Sequence, residues 1–194
     1  MRPTRFALLA IVAAACTPAE KPSDTATAAA APAPAATLMA DLMKDVGEVE
    51  QKLVDLAKAI PADKYGYRPS TGVRSVGEVV MHVASDNYFM PAATGTAAPA
   101  TTGITGDNYE TVAAFEKRTV TPDSAVKELQ ASFAFLKQTM QAATPESMST
   151  KKSMFGAEYT GQQVWIMATT HLHEHLGQMI AYARANNITP PWSK

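Results

Sequence analysis

The sequence predicts an all-α fold, a four-helix bundle. In four segments the apolar residues recur at three- and four-residue spacing, as one face of a helix requires. Ser, Thr, Pro and Asn stand where those segments begin and end, as helix boundaries favour. Outside one short stretch there is no convincing strand pattern, and no internal repeat.

Thr37 to Ile60 forms the first helix. Leu38, Leu42, Val46, Val49, Leu53, Leu56 and Ile60 make its stripe, with Asp41, Lys44, Glu48 and Lys52 on the other face and Pro61 as its stop. The loop Tyr65-Gly66-Tyr67-Arg68-Pro69 places two tyrosines to cap one end of the core. Ser75 with Glu78 three residues on is a capping box, and a second helix runs from Val76 through Val79, Val80, Val83 and Ala84 to Met90, before Pro91. His82 sits at the edge of its stripe, with Asp86 one turn further. Residues 91–108, rich in Ala, Thr, Gly and Pro, read as a long loop of the kind that walls a site.

Tyr109 to Lys117 is a short helix. Thr121-Pro122-Asp123 opens the next one, whose stripe is Val126, Leu129, Phe133, Leu136 and Met140 and whose end is set at Pro145. Met148 to Tyr159 carries turn residues and mixed polarity that fit a short hairpin. Thr160 starts the last helix, which runs to about Asn187. Asn186-Asn187 can close it in a left-handed turn, and Pro190-Pro191 forbid its return.

The ends and the composition bound the rest. Arg2 and Arg5 precede a short apolar run and Ala13-Ala14-Ala15, and Cys16, the only cysteine, follows at once. Residues 1–16 therefore read as a signal peptide of lipoprotein type, with Cys16 as the lipidated residue, although Ala13 stands where Leu is commoner. Residues 17–36, almost entirely Ala, Pro and Thr with a few charges, read as a disordered linker, and residues 37–194 as the bundle domain. The expected location is outside the cytoplasm, periplasmic or tethered to a membrane. Net charge is −1, and no basic patch points to nucleic acid.

Three of four histidines fall in Thr169-Thr170-His171-Leu172-His173-Glu174-His175-Leu176-Gly177-Gln178. Residues four apart share a helix face, so His171 and His175 point together and His173 points away. Such a pair, joined by His82 from a facing helix, supplies three imidazoles to one divalent ion and leaves a position for water or substrate. Asp86 and Glu174 are the candidate bases or supporting carboxylates, and Gln178 would orient a ligand or line the pocket. His171 to His175 also spell H-x-x-E-H, the inverted zinc-protease signature. That motif needs a further carboxylate downstream, and none lies between Leu176 and Lys194.

These motifs resemble the DinB-like four-helix-bundle family. The resemblance rests on His82 in its helix, on His171 and His175 followed by Leu176-Gly177-Gln178, on the apolar run to Arg184, on Pro190-Pro191, and on the loop Tyr65 to Pro69. Leu176 departs from it, since many members have Arg there. The resemblance implies a trihistidine site for a divalent metal, with water completing the shell. It also implies metal-dependent chemistry of hydrolase or thiol-transfer type on an unnamed small molecule. Low-molecular-weight thiols are harder to supply outside the cytoplasm, which disfavours thiol transfer. Three imidazoles suit zinc, nickel or iron alike. The alternative is a metal-containing binding or structural module without catalysis, and related bundles can pair as homodimers.

Overall fold

The computed structural model describes residues 34–193. The proposed signal peptide, Cys16 and the linker up to residue 33 lie outside the described residues. Four long helices, α1 (Pro34–Ala59), α2 (Val76–Thr94), α4 (Pro122–Gln141) and α6 (Gly161–Ala185), form the bundle. Two short helices, α3 (Glu110–Glu116) and α5 (Pro145–Ser149), and a hairpin of β1 (Lys151–Met154) with β2 (Ala157–Thr160) complete it. Among the described residues no helix is long and apolar enough to cross a membrane.

α2 packs chiefly on α4 and α6, and α1 packs on the same two helices. The two helices that come first in the chain therefore face each other across the diagonal, and the loop from Ile60 to Ser75 carries the chain over the bundle's end. This topology puts α6 beside α2, which is what brings His171 and His175 to His82. Phe133, Leu53, Leu56, Leu129, Leu136, Leu172 and Met179 fill the space between the helices with almost no exposure. Truncating one of these to Ala removes buried contacts and leaves a cavity, at a cost of about 2–5 kcal/mol.

The observed elements differ from the sequence expectation in three places. α1 begins at Pro34, so residues 34–36 are helix and not linker; Pro is tolerated in a first turn because its missing N–H had no partner there. α2 does not stop before Pro91 but runs to Thr94, closed by Gly95 at φ 107°. Pro91 lies in the last turn, so it removes one backbone bond near an end that frays in any case. α4 ends at Gln141, and Pro145 opens α5 behind the N-cap Thr144, whose side chain accepts from the Ser147 amide.

α2 is also more deeply buried than an amphipathic stripe predicts, with every residue from Val79 to Pro91 buried. α3 and β1 pack on the face that would otherwise meet water. The expected hairpin is present, in the register Met154 opposite Ala157. Phe155 and Gly156 both have positive φ, 53° and 76°, the requirement of a tight two-residue hairpin turn.

Candidate metal centre

The start of α2 is fixed before its histidine is reached. The Ser75 hydroxyl accepts from the Glu78 amide and the Glu78 carboxylate accepts from the Ser75 amide. Arg68 donates through both guanidinium arms to Glu78 and also to the Val73 carbonyl, at 2.7 Å. The loop Tyr65 to Pro69 thus clamps the first turn. His82 follows one turn after Glu78 and is buried.

His82, His171 and His175 converge where α2 meets α6, each offering a ring nitrogen within 4.8 Å of the others. The His171 and His175 Nε2 atoms are 2.9 Å apart. His82 and His175 are buried, while the His171 side chain keeps 21% of its surface in water.

Neighbours set the tautomers of two of the rings. The Tyr182 hydroxyl donates to the Arg74 carbonyl, at 3.0 Å, and accepts from Gln178 Nε2, at 2.9 Å. Gln178 Oε1 therefore faces His175 Nδ1, at 2.8 Å, and accepts its proton. His82 Nδ1 lies 2.6 Å from Glu116 Oε1. Burial alone would raise the Glu116 pKa. The hydrogen bond from His82 and the positive charge of Arg74 outweigh that and lower it, so Glu116 is an ionised acceptor. Both rings thus carry their proton on Nδ1 and turn a bare Nε2 inward, the form a metal ligand needs.

Electrostatics agrees with this assignment. Burial, with the crowding of the neighbouring imidazoles adding, pulls His171 down to about 3. Burial lowers His175 against its hydrogen bond to Gln178. Asp86 completes the group, with Oδ2 3.3 Å from His171 Nε2 and 3.6 Å from His82 Nε2. Burial raises its pKa to about 6, with the Glu116 charge adding. Its Oδ1 is buried without a hydrogen-bond partner. Three imidazole nitrogens within 4.8 Å of one another, two of them turned inward without a proton, fit a divalent cation.

Of the residues expected from sequence, His82, His171, His175 and Asp86 come together, and Gln178 touches the cluster as the partner that orients His175. Glu174 does not come with them. It is exposed, and its charge reaches His175 only through space, because its position turns it off the face that α6 presents to α2. His173 points away as expected and pairs with Asp45 on α1, at 2.8 Å. Glu116, Arg74 and Tyr182 were not foreseen. Glu116 ends a seven-residue helix with no pattern that marks it, and only the packing of α3 on α2 brings it to His82.

Comparison with known proteins agrees with this fold. The DinB superfamily profile matches residues 45–179. A DinB-like protein of Bacillus subtilis, YjoA, superposes with a TM-score of 0.60 at 18% identity, over 79% of this chain and 97% of its own. YfiT from Bacillus subtilis, described as a probable metal-dependent hydrolase with an unusual four-helix bundle topology, gives 0.62 at 14% identity, over 78% and 89%. A mycothiol-dependent maleylpyruvate isomerase gives 0.58 at 14% identity, over 73% of this chain and 60% of its own. No curated protein matches the chain in sequence. The chain belongs to the DinB superfamily.

Proposed function

From this membership and the convergent histidines, we propose that the chain is a metal-dependent enzyme of hydrolase type, acting on a small molecule. His82, His171 and His175 would hold a divalent ion through Nε2. The observation that carries the reading is Asp86, a buried carboxylate beside the His82 and His171 nitrogens with one oxygen unpartnered. When bound, the ion supplies Lewis acidity and lowers the pKa of coordinated water.

The protein's own residues do the rest. Asp86 is placed to take the proton of the attacking water as general base. Glu116 holds the His82 ring and Gln178 holds the His175 ring, so the donors need little reorganisation.

Elemental analysis of the purified chain tests the first step. One equivalent of zinc, nickel or iron per chain is the expected result, and failure to retain or load any of them overturns the reading. Chelation then separates the enzyme from a metal-stabilised structural module. For an enzyme, activity in a screen of ester, amide and thiol-reactive compounds disappears while the far-ultraviolet helical signal stays. For a structural module, that signal melts with the metal.

The reading extends to export. The charged start, the short apolar run, the small residues and Cys16 support a tethered lipoprotein held by a lipid anchor, with residues 17–33 as spacer. Labelling with a radioactive fatty acid should mark the wild type and not Cys16→Ser.

A further inference from the structure

The histidine cluster has an aromatic neighbour. Phe89 follows His82 on α2 by seven residues, nearly two full turns, so both lie on one face of the helix, about 10 Å apart along its axis. Asp86 lies between them. The Phe89 ring meets Tyr109 edge-on, at 5.4 Å between centroids, and Phe155 at 5.7 Å. Tyr109 and Phe155 meet each other at 5.6 Å. Phe89 is buried beneath, but Phe155 is 56% exposed and Tyr109 44%, so two large aromatic faces meet water over Phe89.

Local preference opposes this arrangement. Phe155 sits at φ 53°, in the left-handed region that a bulky residue avoids. The first position of such a hairpin turn favours Asn or Asp, which would relieve the backbone and suit the solvent together. A phenyl ring stands there against both preferences, which is expected of a residue serving a ligand.

Its supports are rigid. Met154, the preceding residue, is buried in the core. The loop before Tyr109 is pressed on α2 at Gly106, where a Cβ would come within 2.2 Å of the Ala92 carbonyl oxygen. Burial, and then the charges of Asp86 and Glu116, raise the Tyr109 hydroxyl pKa, so its ring lies within the field of the site's carboxylates.

We propose that Phe89, Tyr109 and Phe155 form the apolar wall of the substrate site, and that the substrate pairs a metal-binding polar group with an aromatic ring. The inference rests on the metal reading above. The ring would lie on Tyr109 and Phe155 while the polar group reaches the histidines, and burying those two faces provides the binding free energy.

Two hydroxamates with the same chelating head test it on the zinc-loaded chain, by calorimetry. Benzohydroxamate should bind about tenfold more tightly than acetohydroxamate, as an added aromatic contact implies. Phe155→Asn, which also relieves the positive φ, should bring the ratio to about twofold or less and leave acetohydroxamate affinity as it was. Tyr109→Ser should lower the ratio as well. Equal affinities in the wild type, or a preference that survives both substitutions, overturn the aromatic wall and leave the metal site standing. Binding of neither compound to a chain shown to hold zinc overturns the wall and the open metal site together.

Discussion

His173 and His175 stand two residues apart on α6 and meet opposite surroundings. His173 turns to α1, where half its side chain is in water and its ring nitrogen pairs with Asp45 at 2.8 Å. His175 turns to α2, where it is buried, its Nδ1–H donates to Gln178 Oε1 and its Nε2 lies 2.9 Å from His171. The helix backbone treats the two alike. What separates them is the neighbouring helix each faces, and whether water is there to solvate a charge. A buried imidazole with a fixed tautomer is held in the neutral form that coordinates metal. Asp45 and Asp86 differ in the same way. Asp45 lies at the surface with its histidine, and Asp86 is buried with one oxygen unpaired.

The largest effect that should follow is loss of the metal. His175→Ala and His82→Ala should each lower bound metal from one equivalent to nearly none by elemental analysis, while His173→Ala keeps it. Metal loss in His173→Ala would break the contrast. Asp86→Asn comes next. It keeps the shape but removes the base, so the metal should stay while kcat falls by about 10²-fold or more. An unchanged kcat would leave Asp86 as packing. Glu116→Ala should weaken metal affinity by about 10–100-fold through the released His82 ring, measured by competition with a chelator, and Glu116→Gln should recover part of it. The smallest effect belongs to the surface pair: His173→Ala should change stability by no more than about 1 kcal/mol in denaturant unfolding, because exposed ion pairs contribute little.

Much of this contrast is legible in the sequence, because helical phase is a local property. Residues four apart share a face whatever the fold, so His171 and His175 separate from His173 without coordinates. The capping box at Ser75 and Glu78 and the turn at Asn187, at φ 59°, are equally local and stand where the sequence places them. Glu174 shows the limit: it is adjacent to a ligand in sequence, yet adjacent residues on a helix do not share a face. Pro91 and Pro145 show another. A proline weighs against helix continuation only in proportion to the backbone bonds it removes, and near a helix end that is few.

The sequence alone determined the four helices, the histidine pair and its odd neighbour, since each follows from spacing along one chain segment, and it offered His82 as the remaining histidine for a third ligand. Tertiary structure decided which helices are neighbours, and with that the rest of the site. The diagonal placement of α1 and α2 put α6 beside His82. The docking of α3 brought Glu116 to that ring, and the carbonyl of Arg74 anchored the chain of hydrogen bonds through Tyr182 and Gln178 to His175. The hairpin set Phe155 against Phe89. These contacts join residues far apart in the chain, and they depend on how apolar faces close on one another, which no local periodicity records.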